Sequence, residues 1–528
     1  MSGIRVTYTG LISLIGGIIS IFTGIIFTLI ITRSVTAEEY GTWGLILGLV
    51  TYVMLIGPIV SYWSTRDTAR NIQSGKTAIW SSMLLSIGAI SVYIPISYLM
   101  SNYTNVENNV LLFAAILIPT MFINGILVAI NLGWKPHAIS YGTLAYGISS
   151  IPLALFLIYY LNFGVTGIII SVFLANIVSI IILFYYAKEK IVNRFNKAFL
   201  KKWLKFSWIP IYPGIAVLVA GFDISIFTII TGSVIGLAFW TAAMVFPAMI
   251  SHTGLISRAI YAKLLEEKTK EFMSENLTLV FYFGIILISL VITFARPALY
   301  ALNPIYEIAF LIVIILTIRM FFKNINQTFN TYLLGIETVD KDSDSSAKDF
   351  VKSDLFRIPS FHLMYQMVYY AFLIVGLLII KQQTNEPINL VTYWAIVSVI
   401  SDIPYAIHLY LIVRKKIALK FEFQPLAKYF LISLVVFGFA YFLTEEFLVY
   451  TENVFVFLPN LALFVGIGIG MYVSITYLID FRTRELIKGI LKEIKNTVFS
   501  KVTASFANQD IVIDASFSKE EQEILDKQ

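Results

Sequence analysis

The chain alternates long apolar runs with short polar turns. The first run, Leu11 to Ile31, stops at Thr32-Arg33. A polar turn, Ser34 to Trp43, leads to a second run ending at Tyr62-Trp63-Ser64-Thr65-Arg66. Each run holds about 20 uncharged residues, which as a helix covers about 30 Å, the hydrocarbon thickness of a bilayer. The pair reads as a transmembrane hairpin, and the pattern repeats to residue 480. Fourteen spans are expected, over 8–32, 42–64, 78–100, 109–132, 139–161, 164–187, 207–230, 233–255, 274–295, 305–336, 357–380, 390–413, 427–449 and 456–479.

Composition agrees with that pattern. The chain is 58% hydrophobic and only 13% charged, against about 25% charged in a soluble domain. The fold class is therefore an all-α polytopic membrane protein, with too little soluble sequence for a separate catalytic domain. The net charge of +6 would suggest nucleic acid until the charges are located, and they flank the spans; no nucleic-acid partner is expected. With the N-terminus inside, nearly all Lys and Arg fall on inner loops, and only Arg33, Arg296 and Lys381 fall on outer ones. The positive-inside rule then puts both termini in the cytoplasm. There is no cysteine, hence no disulfide, thiol nucleophile or zinc–thiolate site. Met1 to Thr9 runs directly into a full-length span with no A-x-A-like site, and reads as a first helix instead of a cleaved signal.

The expected organisation is two six-helix lobes around a central cavity, followed by two extra helices. These are an N-lobe at 1–190, a C-lobe at 191–413 and helices 13–14 at 414–479, with an amphipathic helix and poorly ordered tail at 480–528. An acidic, serine-rich cytoplasmic loop is expected at 337–356. Prolines and glycines bend several spans: Gly57-Pro58, Pro119, Pro152, Pro210, Pro213, Gly214, Pro247 and Pro404. Helices 2 and 8 each carry one, and Phe239-Trp240 echoes Thr42-Trp43, a trace of internal duplication that suits rocking-type alternating access. Apolar and Lys positions alternate at helical spacing in Ile191–Phe206 and again in Ile487–Val498. Both segments read as helices in the headgroup plane, serving as topology anchors or as contacts with anionic membrane lipid.

The tenth run is the unusual one. Ile305 to Ile336 would be about 48 Å long as a straight helix, more than a bilayer needs. Arg319, Lys323, Asn326 and Asn330 recur in it at i, i+4, i+7 and i+11, one helix face. A charge at the centre of a span costs about 2.5–3.5 kcal/mol on the insertion scale. The stripe therefore lines a wet or protein interior, unless the span ends near Phe322 and the rest sits in the interface. Asp223 in helix 7 and Asp402 in helix 12 are lone carboxylates within spans. Each is protonated and hydrogen-bonded, paired with a cation, or an ion- or proton-coupling site. Arg33 either snorkels to the outer surface or faces the lumen.

Other motifs fail on inspection. Ser74-Gly75-Lys76-Thr77 lacks the first glycine and the preceding strand of a P-loop. Asp340 to Asp344 starts like a calcium loop, but Ser345 and Val351 replace the required Gly and Glu. His137, His252, His362 and His408 are scattered without ligand spacing. No metal, no cofactor and no enzymatic activity are expected.

The segment Ile31-Thr32-Arg33-Ser34-Val35-Thr36-Ala37-Glu38-Glu39-Tyr40-Gly41-Thr42-Trp43-Gly44 resembles the helix 1–2 signature of Wzx-type polysaccharide flippases. These form the polysaccharide-transporter branch of the multidrug/oligosaccharidyl-lipid/polysaccharide (MOP) exporter superfamily. Phe222-Asp223 followed by Gly232-Ser233-Val234-Ile235-Gly236 is similar to that family's helix 7–8 pattern, while Tyr261-Ala262-Lys263-Leu264 departs from its usual Pro-Lys-Leu-like end of helix 8. The resemblance implies a plasma-membrane transporter that moves a polyprenyl-(pyro)phosphate-linked oligosaccharide from the inner to the outer leaflet. It implies a two-lobed fold, glycan-assembly enzymes as partners, and Na⁺ or H⁺ as the coupling ion if there is one. Arg319, Lys323, Asn326, Asn330 and Arg33 would then serve the sugar–phosphate headgroup, and Asp223, with Asp402, the ion. The rival is a cation-coupled multidrug or small-molecule exporter of the same superfamily.

Overall fold

The computed structural model describes residues 8–253, 270–336, 351–417, 423–485 and 487–488. Most of the expected acidic loop, nearly all of the second amphipathic segment and the tail lie outside these residues. Among the described residues every regular element is helical. The chain divides into two compact units, Gly16–Tyr472, and Met1–Ile15 together with Val473–Gln528. In the second unit Asp480 accepts the Thr483 N–H at 2.9 Å and closes the turn that follows the last long helix.

The larger unit begins within α1 (Tyr8–Ser34) and continues with α2 (Ala37–Val53) and α3 (Pro58–Ala69). The polar turn of the sequence is a capping box. Thr36 Oγ1 accepts the Glu39 N–H at 3.2 Å, and Glu39 Oε2 accepts the Thr36 N–H at 2.9 Å, so two donors at the start of α2 are satisfied. Next come α4 (Gly75–Tyr103), α5 (Asn108–Phe113), α6 (Leu117–Trp134), α7 (His137–Ala154) and α8 (Gly164–Ala187). The short α9 (Lys197–Lys205) is the amphipathic segment read from the sequence: Trp203 is fully buried, while Lys197, Lys201, Lys202 and Lys205 are exposed.

After α9 the chain forms α10 (Trp208–Ala220), α11 (Asp223–Thr231) and α12 (Ile235–Met244), then α13 (Lys270–Thr293), α14 (Ala295–Leu302) and α15 (Phe310–Ile336). Four long helices close the unit: α16 (Asp354–Gln383), α17 (Pro387–Ile417), α18 (Phe423–Phe447) and α19 (Val454–Ile479), the last of which runs past Tyr472. Among the described residues twelve helical stretches are long and apolar enough to cross a bilayer, and two shorter apolar helices, Ile19–Ser34 and Ile235–Met244, fall at the first and eighth expected spans. Large apolar side chains line outward faces at helical spacing, as Met364, Met367, Phe372, Val375 and Ile379 do on α16. Such faces are soluble only against lipid. The chain is a multi-pass, all-α membrane protein.

Helices α3, α4, α6 and α8 pack on one another, and so do α15, α16 and α17; α2 against α12 and α3 against α10 join the two sets. The face of α2 toward α11 and α12 is paved with glycine. A methyl group at Gly41 would overlap the Val234 carbonyl oxygen, one at Gly44 would meet Thr241 Oγ1 at 2.6 Å, and one at Gly48 would touch Ile224 at 3.1 Å. At Gly41 only hydrogen lets the backbone of α2 approach the start of α12 so closely, while Gly44 and Gly48 make room for the Thr241 and Ile224 side chains.

Candidate functional site

The seventh expected span is broken. Gly221 and Phe222 form a turn between α10 and α11, so Asp223 becomes the first residue of a new helix. The break frees backbone carbonyls inside the protein, and tyrosines satisfy them. Tyr370 donates its hydroxyl to the Val219 carbonyl. Tyr52 of α2 reaches across to the Gly221 carbonyl at 2.7 Å and lies 3.0 Å from Ser225 Oγ. Irregular backbone at membrane depth is tolerated where side chains meet its polar groups in this way.

Asp223 does not stand alone there. Its carboxylate accepts the Ile224 N–H at 2.9 Å and the Tyr369 hydroxyl at 3.2 Å, and lies 4.0 Å from the guanidinium of Arg319. Arg319 also donates through Nε to Asp402 at 3.1 Å. One cation on α15 thus bridges carboxylates on α11 and α17, and all three residues are buried. Of the three alternatives open for each aspartate from the sequence, pairing with a cation is the arrangement found. Aromatic rings wall the cluster. Trp394 donates its indole N–H to Tyr369 Oη at 2.8 Å, Trp240 stacks on Trp394 at 3.6 Å, and the Arg319 guanidinium carbon sits 5.8 Å from the Trp240 ring centre. Buried as all three are, removing any one of them would leave an uncompensated charge among the others.

The rest of the stripe follows from that anchor. Asn326 is buried and donates to the Asp402 main-chain carbonyl at 3.2 Å. Asn330, half-buried, lies beside the Tyr405 hydroxyl. Lys323 lies on the helix face between two residues that bond to Asp402, Arg319 and Asn326. Yet Lys323 is exposed, about two-thirds of the way along the Pro304–Leu333 stretch, and makes no ion pair or hydrogen bond among the described residues. It remains within electrostatic range of Arg319, Asp402 and Asp223. The helix runs unbroken through Phe322 to Ile336, so the stripe belongs to one rigid element.

Arg33 lies elsewhere. Its guanidinium donates to the carbonyls of Ala301, Tyr300 and Glu452 at 3.1, 3.2 and 3.0 Å, capping the C-terminal end of α14. Thr32 Oγ1 donates to the Leu302 carbonyl at 3.0 Å beside it, and Asn303 returns a bond to the Thr32 carbonyl at 2.8 Å. The helix 1–2 signature is here a clasp between distant parts of the chain. Sequence reading assigned no site role to His362, set aside with the other histidines, or to Trp240, and did not single out Tyr52, Gln366, Tyr369, Trp394 or Tyr405. A signal existed for three of them: His362, Gln366 and Tyr369 recur at i, i+4 and i+7, a polar stripe on an otherwise apolar α16.

A broken helix, a buried carboxylate–guanidinium–carboxylate bridge beside it and an exposed lysine within a span define a polytopic protein with a polar interior. Among solved structures, this chain has the fold of MOP-superfamily transporters. It superposes on the lipid II flippase MurJ in an inward closed conformation with a TM-score of 0.59 at 16% identity, over 91% of this chain and 99% of that one. An inward-facing multidrug resistance MATE family transporter of the MOP superfamily superposes with a TM-score of 0.56 at 15% identity, over 77% and 98%. No sequence-family profile matches the chain, and no curated protein does. At these identities the likeness shows the fold.

Proposed function

We propose that this protein is a membrane transporter, not an enzyme, that carries a polyprenyl-phosphate- or polyprenyl-pyrophosphate-linked oligosaccharide from the inner to the outer leaflet of the plasma membrane. Two lobes, 1–190 and 191–413, rock about a central path, and both termini are cytoplasmic. The observation that supports the reading is Lys323: an exposed cation within an apolar stretch, unpaired among the described residues, beside an arginine whose own charge is already answered. An anionic headgroup crossing hydrocarbon needs such a charge, and a phosphate oxygen is its natural partner. The exposed Gln327 amide, one turn along from Lys323, and the half-buried Asn330 would supply hydrogen bonds to sugar hydroxyls.

Asp223 and Asp402 favour the rival, a cation-coupled exporter of drugs or small molecules, since a pair of buried carboxylates suits a cationic cargo or a coupling Na⁺ or H⁺. Arg319 between them weighs against it. The two readings separate in a flippase-deficient host. Lys323→Ala, alone and with Arg319→Ala, abolishes surface glycan at equal expression, whereas Lys323→Arg retains it. Full glycan export by Lys323→Ala would overturn the headgroup role. Efflux of cationic dyes that survives Lys323→Ala and fails in Asp402→Asn would favour the rival.

A further inference from the structure

Beside the ion bridge, three amide side chains leave a polar atom unanswered. Asn326 Oδ1, Asn330 Oδ1 and Gln366 Oε1 are buried and have no hydrogen-bond partner among the described residues. Exchanging the oxygen and nitrogen of an amide only turns a missing donor into a missing acceptor. The contacts bring the three together. Asn326 is tied to Asp402, and the Asn330 side chain lies against the Tyr405 hydroxyl within hydrogen-bonding reach. The His362 ring stacks on Tyr405 with centres 5.1 Å apart, and its Nε2 meets the Gln366 amide nitrogen at 3.2 Å. Helices α15, α16 and α17 thus each contribute polar groups to one small region.

A buried polar group left unpaired costs about 1–3 kcal/mol, and native interiors hold few of them. Several in one polar region are the setting in which ordered water sits, each molecule with two to four partners. We propose that the region between α15, α16 and α17 is a hydrated proton-binding site in which His362 carries the proton. The titratable or charged groups facing it are Arg319 and Lys323 on α15, Tyr365 and Tyr369 on α16, Asp402, Tyr405 and His408 on α17, and Asp223 on α11. Two aspartates balance Arg319 and Lys323 while His362 is neutral. An anion docked on Lys323 adds negative charge, and a proton on His362 offsets it, so the two binding events favour each other. This last link rests on the transport reading; hydration and protonation do not.

Hydroxyl-radical footprinting of the purified chain in lipid nanodiscs tests the hydration. Tyr405 is oxidised despite its burial, while Tyr93, equally buried and with its hydroxyl bonded to the Leu111 carbonyl at 2.8 Å, is protected. Protonation is read by NMR of labelled histidine, with the His362 resonance assigned by its loss in His362→Gln. The sample is titrated from the ordinary imidazole range down through acid pH; His362 takes up a proton within it, and its midpoint moves in Asp402→Asn. Protection of Tyr405 equal to that of Tyr93, or a His362 ring held in one protonation state across this range, would overturn the proposal. Both measurements are made without substrate, so their failure is separate from failure of glycan export. Inorganic pyrophosphate then shifts the His362 midpoint in the native chain and not in Lys323→Ala; an unmoved midpoint in the native chain removes the linkage alone.

Discussion

Arg319 carries the residue-scale argument. The sequence placed it on a polar face within a span and offered it to a ligand; folding gives it to Asp402 and Asp223. A buried guanidinium with two carboxylates is tolerable because each charge has a partner, and removing one leaves the others stranded. Arg319→Met is therefore expected to destabilise the protein by about 3–5 kcal/mol, read as a lowered unfolding midpoint in detergent. Adding Asp402→Asn recovers part of that loss, and a double-mutant cycle showing no coupling between positions 319 and 402 would mean the bridge does not form. Lys323→Ala should leave stability nearly unchanged, since the lysine is exposed and bonded to nothing described. The i, i+4, i+7 spacing made the stripe legible. Which of its members are free was not, because a partner some 80 residues away leaves no trace in local spacing.

At the scale of elements, the decisive features are the α10–α11 break and the glycine seam of α2. Proline and glycine at 210, 213 and 214 announced a bent span, but the break itself falls at Gly221-Phe222, where Tyr52 and Tyr370 supply the hydrogen bonds that make it affordable. Tyr52 belongs to α2, so the break and the seam are mechanically joined. If the lobes rock, this seam opens. The chain has no native cysteine, which permits a clean test. A Cβ at Gly44 would lie 3.7 Å from Thr241 Cβ, and one at Gly48 would lie 3.5 Å from Ile224 Cβ, both within the disulfide range of about 3.5–4.5 Å. Oxidising Gly44→Cys/Thr241→Cys or Gly48→Cys/Ile224→Cys should arrest glycan export, and reductant should restore it. Export undiminished by complete cross-linking would make the seam static packing.

For the whole molecule, orientation is the property most directly readable and testable. Basic residues resist transfer across the bilayer, and their concentration on alternate loops sets the topology. Single cysteines at Asn102 and Lys381 are expected to react with an impermeant maleimide on intact cells, and those at Lys135 and Lys415 only after permeabilisation. The reverse pattern would invert the orientation proposed here, and with it the direction of transport.

The sequence by itself determined the class of protein: long apolar runs can be satisfied only in lipid, and lipid admits only structures that bond their own backbone. It also located twelve of the fourteen expected spans to within several residues, and the amphipathic α9, because these follow from local periodicity. Tertiary structure alone decided that Arg33 clasps the end of α14, that Arg319 is consumed by two aspartates, and that Lys323 is left over. Those outcomes depend on which helices meet, a matter of packing between residues far apart in the chain, on which one helix face gives no information about what will lie opposite.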